Sequence, residues 1–307
     1  MQFFRNPRIN FIGARRRAAT LSLVLIGAGF VSVAVHRGFN TSIDFAGGTL
    51  VEVRFDPPVE LTEVRQVLAD EGFSGAEVTH FGSEEEILIK IKAIGDPAEA
   101  SARIGNVLDQ RFVQQDARRD SIDMRRVESV GPKIGAELKT SAFWTIIYSL
   151  VLIVVYISWR FEFRFAIAAI IALIHDVLFT LGFFSVTNRE LSIPVMAAIL
   201  TVVGYSLNDT IVVFDRIREN LRSRKREGYQ VVVNASVNET LSRTIITSMT
   251  TLIVVTCLAV LGGPVIRDFA LTLLVGVVIG TYSSIFIASP VLVEWEDWRV
   301  RRRKRRK

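Results

Sequence analysis

A single cysteine, Cys257, stands in 307 residues. One thiol closes no internal disulfide and builds no cysteine-rich metal site, and it leaves the redox compartment open. Histidine is nearly as scarce, with three copies. No His/Asp/Glu cluster at metal-ligand spacing and no nucleophile-elbow pattern occurs between the first two apolar stretches, so no enzyme constellation is visible there. His80, beside Phe81, reads as a surface or packing residue. Charge is what the sequence lacks most unevenly. Six stretches of about 18 residues or more carry none, or only one or two, and a bilayer core takes about 20 apolar residues per helix.

Half the residues are hydrophobic. The six spans read as Ala18–Val35, Thr140–Trp159, Phe165–Thr187, Leu191–Phe214, Arg243–Val265 and Phe269–Val293. A cleaved signal peptide would also start basic and turn apolar. The first stretch is longer than that, no small-residue cleavage site follows, and five more spans come later. The expected organisation is a basic N-terminus over 1–17, a first span over 18–36, an inserted domain over 37–139, spans two to six over 140–293, and a basic tail over 294–307.

Lys and Arg set the orientation. With the N-terminus in the cytoplasm, the cytoplasmic pieces hold 5, 2, 7 and 8 of them, while the two short outer loops hold one each, Arg189 and Arg267. That bias puts both termini in the cytoplasm and residues 36–139 outside, in the periplasm of a Gram-negative cell. The terminal run Arg301–Lys307 invites a nucleic-acid or ribosome reading, but basic residues beside anionic lipid are each worth about 1 kcal/mol, and an inner-leaflet anchor accounts for them. No nucleic acid is required.

The inserted domain has its own pattern. Leu50–Phe55 alternates as a strand. After Asp56-Pro57-Pro58, the apolar spacing Leu61, Val64, Val67, Leu68 is helical, and Gly72 is placed to end that helix. Ala76–Phe81 reads as a second strand, Glu84–Glu86 as a turn, and Ile87–Ile94 as a third strand. A helix from Asp96-Pro97 to Gln114, with Pro near the first turn, precedes a fourth strand over Ser121–Val130. The order β-α-β-β-α-β predicts a ferredoxin-like α+β domain.

Ionisable residues within spans cost about 2.5–3.5 kcal/mol each on insertion scales, so the few present are informative. In the fourth span Thr201, Gly204, Tyr205 and Asn208 share a face, and Asp209 borders it; Ile199, Val203 and Leu207 line the opposite face. The small and polar stripe is expected to face the bundle interior, the apolar one lipid or apolar packing. In the fifth span Arg243, Thr247, Thr250 and Thr251 form a second hydroxyl-lined stripe. Antiparallel neighbours would bring Asp209 and Arg243 to similar depth, with a proton route between the stripes. His175 and Asp176 sit halfway along the third span, where either could titrate near neutral pH. Structural readings stand beside these: Asp209 as a hydrogen-bond hub, Arg243 snorkelling to the interface, His175-Asp176 as a packing pair. Gly276-Val277-Val278-Ile279-Gly280 in the sixth span is a GxxxG that permits close helix packing.

Five segments carry a resemblance. Ser42–Gly48 (SIDFAGG), Val130–Gly135 (VGPKIG), Gly204–Asn220 (GYSLNDTIVVFDRIREN), Asn238–Ser248 (NETLSRTIITS) and Gly280–Pro290 (GTYSSIFIASP) resemble signatures of the SecF family of bacterial protein-export membrane proteins, and the likeness covers nearly the whole chain. The signature positions are Asp44, Phe45, Gly47, Gly48, Gly131, Pro132 and Gly135. The resemblance implies half of a resistance-nodulation-division transporter: a membrane α-helical bundle of six spans that pairs with a SecD half. It implies the bacterial inner membrane, association with the SecYEG channel, with YajC and YidC beside it, and action on a translocating preprotein. It implies use of the proton-motive force late in export, with protons as coupling ion and no other cofactor. The family's proton-path acid falls on Asp209 and its arginine on Arg243; Asn208, His175 and Asp176 join them as relay candidates. Two other readings stay open: a proton-driven transporter half for small amphipathic molecules, and a structural scaffold of the translocon.

Overall fold

The computed structural model describes residues 7–92, 97–114 and 122–305, with the side chains of Pro97 and Ala98 left out. Asp96 and Ser121, and with them Ala93 and Ile94, lie outside the described residues, as do the extreme ends of both basic termini. The chain forms two compact units. One comprises Thr41–Trp144 together with Glu190–Ile193; the other holds the rest.

The first unit is built on a four-stranded antiparallel sheet: β1 (Gly48–Arg54), β2 (Glu77–Phe81), β3 (Ser83–Lys92) and β4 (Asp123–Val130), in the order β2-β3-β1-β4. Helices α3 (Leu61–Asp70) and α4 (Pro97–Asp109), the latter continuing as a π turn over Gln110–Gln114, complete the β-α-β-β-α-β order. A further short helix, α2 (Ile43–Ala46), precedes β1. Alternation sets the faces. Val51, Val53, Ile87, Ile89 and Ile91 point inward with Phe55, Val64, Leu68, Ile104, Leu108 and Phe112 and form one buried core. Gly72 ends α3 at φ +91°, as its position promised.

The acidic triplet is not a turn. Gly82, at φ +80°, makes the tight reversal, and Glu84–Glu86 are already in β3. Glu86 pairs with Arg54 in register, and the Arg54 guanidinium meets Glu85 at 2.7 Å, so the sheet supplies the countercharge that makes a carboxylate run tolerable in a strand.

The second unit is helical. Among the described residues six helices are long and apolar enough to cross a membrane, and the chain is a multi-pass membrane protein. They are α1 (Arg15–Val35), α5 (Pro132–Arg160), α6 (Phe163–Val186), α7 (Ile193–Ser223), α8 (Tyr229–Leu261) and α9 (Gly263–Ser283); α9 runs through a π segment at Ser284–Ala288 into α10 (Ser289–Lys304). Most extend past the apolar stretch, because polar turns continue the helix beyond membrane length. Small residues set the closest approaches. A Cβ on Gly29 of α1 would come within 2.6 Å of the Gly182 backbone of α6. A Cβ on Gly280 of α9 would stand 2.9 Å from the Ser206 side chain of α7, and one on Gly276 would clash with Val202. The GxxxG therefore packs α9 on α7 inside this chain. Gly204 meets nothing within 4 Å.

Residues 7–14 lie along the start of α8. Asn238 accepts from Ile9 N at 2.9 Å and donates to Ile9 O at 2.9 Å, while Asn234 accepts from Ile12 N at 3.2 Å. Phe11 and Ile12 are buried there. At the α7–α8 turn, Glu239 receives Arg216 at 2.5 Å, Arg224 at 2.7 Å and Asn220 at 2.9 Å.

Candidate functional site

Helix α7 presents the main finding. Ile199, Val203 and Leu207 are buried among the other helices, while Thr201, Gly204 and Asn208 are exposed. The exposure of the polar stripe is opposite to the sequence expectation, while the apolar stripe takes the apolar packing expected of it. The apolar stripe of α7 belongs to this chain's own packing, and the small polar stripe lies on the outside of it.

Asp209, about 100° round the helix from the exposed Asn208, is turned into the bundle. Only 2% of it is exposed. Its Oδ2 receives Ser248 Oγ of α8 at 3.4 Å and Thr281 Oγ1 of α9 at 3.5 Å. Those hydroxyls have closer engagements. They meet each other at 2.6 Å, and Thr281 donates to Val277 O at 2.8 Å. Asp209 thus sits where three helices converge and is held loosely by each donor.

Arg243 is exposed and makes no direct hydrogen bond or ion pair with Asp209 among the described residues. It lies five residues before Ser248, so about 7.5 Å along the helix from Asp209's level at 1.5 Å per residue. The two polar stripes do meet elsewhere: Tyr205 donates to Thr251 at 3.3 Å. Thr247, Thr250 and Thr251 turn hydroxyls onto carbonyls of their own helix.

The third-span pair forms a different assembly. Asp176 is fully buried. His175 Nδ1 meets its Oδ1 at 2.9 Å, and Oδ2 receives Ser206 of α7 and, at 2.7 Å, Ser283 of α9. A carboxylate oxygen only accepts, so Nδ1 is the donor to an ionised Asp176, and Nε2 is the ring's other nitrogen. That Nε2 is buried without a partner, and the ring stacks 6.1 Å from Tyr282. Ser206 is three residues before Asp209 on α7, and Ser283 two after Thr281 on α9, so α9 serves both carboxylates while α7 serves one and bears the other. Immediately after Ser283 the helix widens into its π segment, where Ser289 Oγ bonds Ser284 O at 2.9 Å. Sequence reading named Ser206 among the polar residues of the fourth span without giving it a role, and missed Ser248, Thr281 and Ser283. Ser206 lies one turn from Asp209 and Ser283 two residues from Thr281, while Ser248 had no such neighbour to mark it.

The signature motifs meet in the sheet unit. Phe45 is buried. Gly47, at φ +73°, leaves no room for a Cβ, which would come within 2.9 Å of Pro132 Cα. On Gly135 a Cβ would stand 3.0 Å from Gly47 N and Phe45 O. Gly131 has no neighbour of that kind, and nothing in the structure explains it. Asp44 accepts Ser42 Oγ at 3.0 Å and Ile193 N at 3.1 Å through Oδ2.

Two family profiles match this chain: "Protein export membrane protein SecD/SecF, C-terminal" over residues 112–298 and "SecD/SecF GG Motif" over 33–59. The protein translocase subunit SecF of Magnetococcus marinus is 51% identical over 292 residues, covering 95% of this chain and 93% of that protein. That of Desulfurispirillum indicum is 47% identical over 290 residues, covering 94% and 91%. A crystal structure of SecDF from Thermus thermophilus, described as a translocon-associated membrane protein, superposes with a TM-score of 0.83 at 40% identity. SecDF in a super-membrane-facing form gives 0.74 at 38%. This chain spans 39% and 41% of the length of those two structures. The residues that make the close approaches between motifs are those the family profiles span, and the chain belongs to the SecD/SecF family of protein-export membrane proteins.

Proposed function

We propose that this chain is the SecF-type half of a two-half complex that assists Sec-dependent protein translocation and couples it to proton flow. The reading rests on one observation above the others: a sealed carboxylate, Asp209, at membrane depth, reached by hydroxyls from two further helices at 3.4 and 3.5 Å, on a helix whose small polar face is exposed. That exposed stripe of α7, with Arg243 at the end of the α8 stripe, is the face on which a SecD-type half docks. Burial by the partner brings Arg243 and Asn208 into a low-dielectric seam near Asp209.

Proton movement then has a use. One charge crossing the membrane is worth about 2.3 kcal/mol per 100 mV. Protonating Asp209 removes the charge that attracts Arg243 and water, which shifts the balance between two bundle arrangements. The sheet domain works on the outer face upon the emerging preprotein, with both termini in the cytoplasm, beside a SecYEG-type channel of the inner membrane and the YajC and YidC proteins. Protons are the only coupling species in this reading, and no covalent chemistry is assigned.

The test is export of a secreted precursor in cells carrying Asp209→Asn, with protein level and co-purification of the SecD half followed together. Slowed export with intact assembly is the expected result. Normal export would make the charge a structural one and bring the scaffold reading forward.

A further inference from the structure

The loop between α6 and α7, Glu190–Ile193, belongs to the compact unit of the sheet domain and not to the helical one. Three kinds of tie hold it there. Thr41 pairs with Leu191 as a parallel bridge, and Ser42 N donates to Leu191 O at 2.9 Å. Lys90 Nζ on β3 meets Glu190 Oε2 at 2.6 Å, with both side chains less than a quarter exposed, which removes much of the solvent screening that weakens surface pairs. Asp44 accepts from Ile193 N at 3.1 Å.

Ile193 is the first residue of α7. The opening turn of a helix carries N–H groups with no intrahelical acceptor. In α7 the second residue, Pro194, has no N–H to satisfy. Asp44 takes the one before it, and its carboxylate stands where the helix dipole favours negative charge. Local geometry aims it. Ser42 caps α2 by accepting from Asp44 N at 3.3 Å and holds the carboxylate through its hydroxyl at 3.0 Å. The same helix carries Asp209 sixteen residues on, about 24 Å at 1.5 Å per residue.

We propose that Asp44 is a positioning residue: it supplies an N-terminal cap from the signature motif to α7, so that the sheet domain and the helix bearing Asp209 move as one piece. This rests on the proton-coupled reading above. It adds a third attachment to the domain, beside its chain connections to α1 and α5, and it leads straight into the helix that bears Asp209.

The experiment uses the full chain with its SecD half in cells, in a Cys257→Ser background. Asp44→Ala is expected to leave protein level and co-purification intact and to slow precursor export about fivefold, the factor matching a cap of ~1 kcal/mol. Asp44→Asn keeps an oxygen acceptor and should export nearly as the native chain does. Thr41→Cys with Leu191→Cys, the bridged pair, should restore export to Asp44→Ala when oxidised and lose the gain on reduction, which a general packing defect would not do. The same lock in the Asp44 chain should be harmless. Normal export by Asp44→Ala, failure of a harmless lock to rescue it, or arrest of the native chain by the lock each overturns the proposal. If Asp44→Ala does not accumulate, Glu190→Ala, which removes only the Lys90 tie, takes its place with the same expected direction and rescue. Asp209→Asn run alongside separates the two claims. If it slows export and Asp44→Ala does not, only the cap falls; if neither does, the proton-coupled reading falls first.

Discussion

Asp176 and Asp209 are carboxylates sealed in the same helical unit, both reached by a hydroxyl from α9, and held in opposite ways. Asp176 has both oxygens engaged, by His175 at 2.9 Å, Ser283 at 2.7 Å and Ser206. Asp209 receives only two hydroxyls near the limit of hydrogen bonding, each already committed more closely elsewhere. A buried polar group without partners costs free energy, and one fully satisfied resists change. Asp176 therefore reads as a knot tying α6, α7 and α9. Asp209 has little to lose by changing protonation or partners, which is what a coupling group needs.

The largest expected effect breaks the knot. Asp176→Ala removes the acceptor shared by Ser206, Ser283 and His175; Ser283 keeps Gly280 O at 3.1 Å, and each of the other two costs about 1–3 kcal/mol if left unpaired. The variant should accumulate poorly, and its thermal unfolding in detergent should move sharply down. Should it accumulate normally and lose only export, Asp176 belongs with Asp209 and the distinction between them collapses. Asp209→Asn is the mirror case. It keeps shape and one acceptor, so stability should stay within about 1 kcal/mol of native while export falls. A variant that instead unfolds early would place Asp209 among the structural groups.

The sequence carried the spans, the sheet order and the two acids, because hydropathy and period-2 alternation are local signals. It could not say which face of α7 turned inward. Thr201, Gly204 and Asn208 mark one stripe and Ile199, Val203 and Leu207 another, but a chain that pairs with a second half, as proposed above, has two interiors, its own and the shared one. Periodicity shows that the stripes differ; it does not say which interior each one faces. Helix α2 spans four residues, too few to show a period. The roles of Ser206 and Ser283 were invisible for a different reason: serine is common wherever membrane helices touch, and only the distance to Asp176 singles these two out. The tie from Asp44 to Ile193 joins residues 149 apart and left no local trace.

The glycines sharpen the comparison at a smaller scale. Gly280→Ala puts a methyl 2.9 Å from the side chain of Ser206, one of the knot's donors, and overpacking of that kind costs about 1–3 kcal/mol. Gly204→Ala meets nothing within 4 Å in this chain. It should be neutral or gain up to about 1 kcal/mol from helix propensity. Thermal melts of the two variants in detergent check the difference. Gly204→Leu should leave that melt unchanged and weaken co-purification of the SecD half, because the larger side chain stands on the proposed docking face. Undiminished co-purification would move that face elsewhere.

Of the variants around the two acids, the smallest effect is expected at Ser248. Its hydroxyl lies 3.4 Å from Asp209 and 2.6 Å from Thr281, so Ser248→Ala removes one long contact to the acid and one short contact between hydroxyls. Thr281 keeps its bond to Val277 O. The loss in stability should be about 1 kcal/mol or less, the net worth of an ordinary hydrogen bond. Export should fall less than in Asp209→Asn, since the carboxylate remains and Thr281 still reaches it. Precursor export measured in the two variants side by side decides the matter. If Ser248→Ala is as defective as Asp209→Asn while the protein stays assembled, the hydroxyl is an obligatory partner of the acid. Asp209 would then be held as firmly in function as Asp176 is in structure.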